Sequence, residues 1–106
     1  MRYGMVLVTV DSEEKAHELV DCVLESRLAA CVQMVPIKSY YIWQGKREHS
    51  SEILLMMKTK RRFFSRLEKL VREHHPYEVP EIVFVPFLGI FGAYRKWMDD
   101  VLWRKN

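Results

Sequence analysis

The segment from His74 to Glu81 carries the densest set of side chains capable of chemistry. Within eight residues it places two imidazoles, one phenol and two carboxylates, namely His74, His75, Tyr77, Glu78 and Glu81. Prolines at positions 76 and 80 restrict the backbone and lower the entropy cost of fixing these side chains. Imidazole suits copper, zinc and nickel, and carboxylates can complete such sites. His74 and His75 are therefore candidate ligands for copper(II) or another divalent cation.

A structural role explains the same histidines equally well. Adjacent side chains point in different directions, so the pair alone does not form a chelate. His74 continues the apolar stripe of a predicted helix, and His75 would cap its C-terminus, where a cation is favoured. Cys31 is a further candidate soft ligand, although a strand thiol between Ala30 and Val32 is typical of a core. Both interpretations stay open at this point.

A basic run, Lys58 to Arg62, precedes the second predicted helix. Positive charge there opposes the helix macrodipole. A solvated helix start explains the run, and an anion site or a nucleic-acid patch is the alternative. With 17 Lys+Arg against 14 Asp+Glu, the net charge is +3, which does not identify a nucleic-acid binder.

Hydrophobic periodicity predicts the elements that position these residues. Tyr3 to Val10 is a strand, and Asp11 with Glu14 forms a capping box before the first helix. The apolar stripe of that helix comprises Ala16, Leu19, Val20, Val23, Leu24 and Leu28. The remaining elements are a strand over about 30–43 with a bend at Pro36, a turn over 44–46, a strand over 52–59, a helix over 63–74 ended by Pro76, a strand over 81–85 and a last helix after Gly92.

The order βαββαβ with a terminal helix predicts an α+β, ferredoxin-like sandwich with its crossover helices on one face. A long hairpin containing Tyr40 to Trp43, with Trp97 and Trp103, is more apolar surface than two helices can cover. Small monomers rarely expose such a patch, so we expect the subunits to associate.

Composition excludes several classes of protein. The 106 residues are 49% hydrophobic, which predicts a single folded domain over residues 1–106. No apolar run approaches the roughly 20 residues of a membrane helix. The opening residues show no small-residue cleavage site, so we expect no export, and Cys22 and Cys31 predict no disulfide framework. We expect a soluble, cytoplasmic protein with no membrane or nucleic-acid partner.

Catalytic signatures are missing from the sequence. No serine lies in a GxSxG elbow, and the glycines at 89 and 92 form neither a P-loop nor a dinucleotide fingerprint. Acylphosphatases share the predicted fold but need an asparagine, and Asn106 is the only one here. RNA-recognition modules need exposed aromatics on central strands, which Met5 to Val8 and Ile53 to Met57 do not offer. The sequence predicts no enzyme.

Several motifs together resemble one family over nearly the whole chain. They are LAACV at 28–32, SYY at 39–41 with WQGK at 43–46, SEILL at 51–55 with KT at 58–59, and HHPYEVPEI at 74–82. The chain resembles the CutA divalent-cation-tolerance family. The resemblance implies a homotrimer that is similar to PII signalling proteins, a role in tolerance to copper and other divalent cations, and no enzymatic activity or required cofactor.

The resemblance implies metal ligation by His74 and His75. Some bacterial members have a cysteine in the first strand where this chain has Val8, which weakens the case for copper. Relatives usually have a polar, acidic loop where this chain has the apolar segment from Phe87 to Gly92. A cleft between subunits is expected near Tyr41, Lys58, His75 and Glu81. Two alternatives remain: a PII-like sensor of an anionic metabolite that uses Lys58 and Arg61, and a structural trimer without a metal role.

Overall fold

The computed structural model describes residues 2–104. Four strands and three helices follow one another along the chain, with a short 3-10 turn before the second helix. They are β1 (Tyr3–Val10), α1 (Glu13–Glu25), β2 (Cys31–Trp43), β3 (Lys46–Lys60), the turn (Arg61–Phe63), α2 (Phe64–His74), β4 (Ile82–Pro86) and α3 (Gly92–Val101). This order confirms the predicted βαββαβ arrangement with a C-terminal helix.

The strands form one antiparallel sheet in the order β2-β3-β1-β4. Each βαβ crossover therefore spans a strand that belongs to the other unit, which is the ferredoxin-like topology. Register decides which side chains share a face. Val6 lies opposite Met57 and Val8 opposite Leu55, so these residues face the same way. The fold class predicted from the sequence is confirmed.

The first face of the sheet is closed by α1 and α2. Its core is fully buried and includes Val6, Val8, Val10, Leu55 and Met57 from the sheet, with Ala16, Leu19, Val23, Leu67 and Val71 from the helices. Two residues of the predicted apolar stripes lie outside this core. Leu24 is 39% exposed, and His74 is exposed at the end of α2.

The second face, here called the open face, has a helix at one end. Tyr3, Leu7 and Thr9 of β1 belong to it, as do Glu52 and Lys58 of β3. Tyr94 of α3 approaches Lys58, whose Nζ lies 5.7 Å from the ring centroid, and the Tyr3 hydroxyl donates to Asp99 of α3 at 2.9 Å. The third helix therefore covers the Lys58 end of this face, whereas the segment that begins at His75 crosses the Thr9 end.

Two boundaries differ from the sequence prediction. The helix cap is Ser12 and not Asp11, because the Ser12 hydroxyl accepts from the Lys15 amide at 3.2 Å. The third strand begins at Lys46 and not at Glu52, since Gln44 and Gly45 both have positive φ and form a two-residue turn. The polar residues after that turn continue the ladder, so the hairpin is longer than its apolar pattern suggested.

The hairpin gives the molecule an elongated shape. Its principal extents are 46 × 26 × 21 Å, and its radius of gyration is 14.4 Å. A compact chain of this length has a radius of about 13 Å. Tyr40 is 64% exposed and Ile42 69% exposed near the hairpin tip. The hairpin part of the apolar surface anticipated from the sequence is therefore present on the described chain, whereas Trp103 packs against the core and does not belong to it.

Candidate functional site

His75 anchors the segment that crosses the Thr9 end of the open face. Its Nε2 lies 2.7 Å from the carbonyl oxygen of Thr9, and the backbone amide of Tyr77 donates to its Nδ1 at 3.1 Å. Because a backbone amide can only donate, Nδ1 accepts and the proton belongs on Nε2, which donates to Thr9. Both ring nitrogens of His75 are therefore engaged, and the segment over 75–81 is tied to β1.

Tyr77 and Glu52 form a second polar contact in the site. The Tyr77 hydroxyl donates to Glu52 Oε2 at 2.8 Å, and the Glu52 side chain is only 8% exposed. Burial, together with the hydrogen bond and negative charge of Glu52, raises the pKa of Tyr77 well above its usual value. The phenol therefore stays a proton donor throughout the neutral pH range.

These contacts enclose a cleft of about 580 Å³ between the hairpin and the 75–81 segment. We call it the open-face cleft. It is lined by Thr9, Ser39, Tyr40, Tyr41, Trp43, Glu52, Tyr77, Glu78, Val79 and Glu81. Three of these side chains are carboxylates and four are aromatic, whereas no lysine, arginine or histidine is among them. The electrostatics of this cleft favour a cation.

The structure brings together part of the predicted cleft. Tyr41 and Glu81 both line the open-face cleft, and Glu81 is exposed. His75 lies under the same segment and holds it in place. Lys58 and Arg61 lie elsewhere in the chain, beside Tyr94 and over Phe84 respectively.

Within one subunit, the basic residues Lys58 and Arg61 lie far from the cleft residues Tyr41 and Glu81. Lys58 is six residues along β3 from Glu52, which corresponds to about 20 Å of extended strand. A cleft that combines Lys58 and Arg61 with Tyr41 and Glu81 would need a second copy of the chain. The predicted inter-subunit cleft therefore stays a prediction.

The candidate metal ligands do not converge within the described subunit. Residues 2–104 contain no group of three or more His, Cys, Asp or Glu side chains arranged to hold a metal ion. His74 is exposed at the end of α2, and Val8 is fully buried. Cys31 pairs in register with Lys58, at the far end of the open face from His75. The Cys31 thiol is therefore not placed beside either imidazole.

Glu52 is the site residue that sequence analysis missed. Glu52 lies on the same face of β3 as Leu54 and Met56, because the three residues occupy alternate positions of the strand. A carboxylate at such a position is unusual, since ionised side chains are almost never fully buried without a partner. The sequence already showed a carboxylate in line with the apolar residues Leu54 and Met56. The partner of Glu52, Tyr77, lies 25 positions away along the chain and could be found only in the fold.

The fold and the site define a class of protein: a small ferredoxin-like α+β subunit with a ligand-sized acidic and aromatic cleft. Comparison with known proteins identifies the family. Residues 4–101 match the family described as CutA1 divalent ion tolerance protein, and the chain belongs to that family. This confirms the resemblance drawn from the sequence motifs.

Two curated relatives show how much of the chain is shared. The divalent-cation tolerance protein CutA of Thermus thermophilus is 43% identical over 97 residues, covering 91% of this chain and 94% of the relative. Protein CutA of Mus musculus is 42% identical over 95 residues, covering 89% of this chain. The chain spans about half, 54%, of the mouse relative's length.

Solved structures agree with the fold. CutA1 from Oryza sativa superposes with a TM-score of 0.94 at 33% identity, covering 99% of this chain and 97% of that one. The periplasmic divalent cation tolerance protein CutA from Archaeoglobus fulgidus superposes with a TM-score of 0.91 at 31% identity, covering 93% and 97%. Across residues 2–104, none of the helices has the length and apolar character needed to cross a membrane.

Proposed function

We propose that this protein acts in divalent-cation tolerance by binding the cation weakly, without catalysis. The observation that supports this most directly is the exposed imidazole of His74, which directly precedes the 75–81 segment whose carboxylates line the open-face cleft. Membership of a family described by divalent ion tolerance supports the same direction. Copper(II) is the cation we propose, because the candidate ligands in the adjoining segment are imidazoles.

His74 is the better placed of the two proposed ligands. It is exposed, and it makes no hydrogen bond to another described residue, so a ring lone pair is free for a metal. His75 would first have to release the Tyr77 amide from Nδ1. Ligation requires neutral imidazole, so binding should weaken on acidification.

Calorimetric titration with copper(II) at pH 7.5 tests the proposal. We expect His74→Ala to lower the affinity, while His17→Ala, which removes an exposed histidine of α1, should leave it unchanged. His75→Ala and the double variant distinguish ligation from positioning of the segment. Equal binding by the wild type and the double variant would remove both histidines from the site.

Homotrimer formation is the second part of the proposal. It is supported by the exposed apolar hairpin and by the distribution of charge on the open face. Acidic Glu52 lies towards one end of that face, and Lys58 and Lys60 lie towards the other. Such polarity suits a heterologous interface, which closes into a ring when each subunit contacts the next. A trimer would also place Lys58 and Arg61 of one copy near the cleft of another.

The rival proposal is a PII-like sensor that binds an anionic metabolite with Lys58 and Arg61. The carboxylates of Glu52 and Glu81 oppose an anion unless neighbouring subunits supply both cations. A thermal-shift screen of nucleotides and organic acids distinguishes the proposals. A structural trimer would respond neither to those compounds nor to copper. A cytoplasmic location stays a prediction from the sequence.

A further inference from the structure

The outer side of the helix layer carries charge of opposite sign on its two helices. On α1, exposed carboxylates recur every three or four residues, at Glu14, Glu18, Asp21 and Glu25. Side chains at these spacings form one stripe along a helix of 3.6 residues per turn. The stripe lies opposite the buried face of the helix, which is formed by Ala16, Leu19 and Val23, so it points away from the sheet. We call it the acidic stripe.

The second helix carries the opposite charge. Exposed cations follow a similar spacing from the 3-10 turn along α2, at Arg62, Arg66, Lys69 and Arg72. They point away from the sheet, because Leu67 and Val71 form the buried side of this helix. We call them the basic stripe. Both stripes are about 15 Å long, at a rise of about 1.5 Å per residue.

Aromatic rings hold the first two guanidinium groups of the basic stripe in place. The guanidinium carbon of Arg62 lies 4.9 Å from the centroid of the Phe63 ring, and that of Arg66 lies 4.5 Å from the centroid of the Trp103 ring. A guanidinium that stacks on a ring keeps its N–H donors available at its edge for a carboxylate. These two arginines are therefore preorganised to receive one.

The two stripes run side by side in opposite directions. Helix α1 follows β1 and α2 follows β3, and those strands are antiparallel. Trp103 joins the two helices, because its amide donates to the Arg27 carbonyl just beyond α1 at 2.7 Å and its ring contacts Arg66 of α2. The last turn of α1 is therefore level with the first turn of α2.

The charges of the two stripes are not neutralised within the subunit. Across residues 2–104, no ion pair joins α1 to α2. Lys15 pairs with Glu18 at 3.3 Å on the same helix, and Glu73 lies near the end of the basic stripe, so each stripe keeps an excess of its own sign. Leu24, which is 39% exposed, offers an apolar contact beside the acidic stripe.

We propose that the helix layer is a docking surface for a second copy of this chain. A two-fold axis that runs parallel to the helices, midway between α1 and α2, places the acidic stripe of each copy against the basic stripe of the other. Such an isologous contact satisfies both stripes at once. The open face lies on the other side of the sheet, so the contact can join two trimers as readily as two subunits.

Charge complementarity favours a second copy over other partners. A polyanion such as a nucleic acid would meet the basic stripe but would be repelled by the acidic stripe beside it, and a polycation would meet the reverse arrangement. Exposed ion pairs are individually weak and are screened by salt. We therefore expect an association of low affinity that depends steeply on ionic strength.

Sedimentation velocity of the full chain over a dilution series, at about 20 mM and about 300 mM sodium chloride, tests the proposal. At low salt we expect a species with twice the mass of the form present at high salt. The dissociation constant of this step should rise about tenfold or more with the added salt. Association through the apolar hairpin does not depend on charge attraction, so it sets the mass of the high-salt form and is measured separately.

Two charge-reversed variants provide the decisive comparison. Asp21→Lys with Glu25→Lys alters the acidic stripe, and Arg62→Glu with Lys69→Glu alters the basic stripe. Each variant alone should lose the low-salt species. An equimolar mixture should restore it, because the native stripes meet on one side of the two-fold axis and the altered stripes meet on the other.

Arg95→Glu with Lys96→Glu on α3 is the matched control, since it changes the net charge as much as the α2 variant does and should associate like the wild type. Circular dichroism checks that every variant is folded. A wild type with the same mass at both salt concentrations, variants that still associate, or a mixture that stays apart would each overturn the proposal. Binding of double-stranded DNA at low salt in place of self-association would also overturn it, because it would assign the basic stripe to a polyanion.

Discussion

His74 and His75 are neighbours in sequence but differ completely in their surroundings. The His75 ring joins the Thr9 carbonyl to the Tyr77 amide, and it also packs against the Tyr77 ring with centroids 4.7 Å apart. His74 is exposed and outside this network. A chemical role and a structural role were alternatives for the pair, and the fold gives the structural role to His75.

The first prediction compares the two histidines. His75→Ala should lower the free energy of unfolding by about 1–3 kcal/mol, because it removes a partner from the Thr9 carbonyl and from the Tyr77 amide in a partly buried site. His74→Ala should change it by less than about 0.5 kcal/mol. Urea denaturation followed by circular dichroism measures both. Equal effects of the two substitutions would contradict the assigned network.

A second prediction at this scale concerns Asp99. Its hydrogen-bonded pair with Lys60, at 2.9 Å, lowers the pKa of the Asp99 carboxyl, and the Tyr3 hydroxyl contributes to the same shift. A carboxylate with a lowered folded-state pKa stabilises the protein above its unfolded value near 3.8, and this contribution is lost as the pH falls through the folded value. The Asp99 side chain is 39% exposed, so screening keeps the effect below about 1 kcal/mol.

Asp99→Asn should therefore unfold at lower urea concentration than the wild type at pH 7, and the difference should shrink below pH 3.8. Asp100→Asn is the matched control, because Asp100 forms only exposed pairs with Lys96 and Arg104. A difference between wild type and Asp99→Asn that is independent of pH would rule out this linkage.

At the scale of elements, close packing between β1 and β4 depends on Gly4. A Cβ at this position would collide with the Val85 carbonyl oxygen and would lie 2.7 Å from the Phe84 ring. Phe84 is in turn held by an edge contact with Phe64, with ring centroids 6.2 Å apart. The neighbouring backbone therefore cannot move away without disturbing the ladder and the α2 contact.

Gly4→Ala should consequently destabilise the protein by about 1–3 kcal/mol, as overpacking in a core does. Gly89→Ala provides the control, because a Cβ at position 89 has no neighbour within 4 Å. Thermal unfolding monitored by circular dichroism compares the two. A Gly4→Ala variant as stable as Gly89→Ala would show that the two strands are not packed this closely.

For the whole molecule, shape and surface support the proposed association. The exposed hairpin carries Tyr40 and Ile42, and the loop between β4 and α3 exposes Leu88 and Phe91 by 88% and 78%. These are two separate apolar surfaces. The hairpin surface belongs to the proposed trimer, whereas nothing in the structure shows what covers the loop.

The prediction at this scale is that Ile42→Lys weakens assembly. A lysine would have to be desolvated in an apolar interface, so the variant should dissociate at protein concentrations where the wild type remains associated. His17→Lys, on the exposed side of α1, should behave like the wild type. Sedimentation velocity over a dilution series measures both. A wild type that sediments as a folded monomer at micromolar concentration would contradict the trimer.

The sequence alone determined the order of elements, the fold class and the family. The spacing of its apolar residues indicates which face of each strand or helix is buried. The long motifs at 28–32 and 74–82 are specific for the family. Boundaries at Ser12 and Lys46 were missed because one hydroxyl contact and one tight turn decided them. Only the tertiary structure paired Tyr77 with Glu52 and engaged both nitrogens of His75. Hydrophobic patterning acts locally, whereas hydrogen bonds between distant residues form only after the sheet has brought them together.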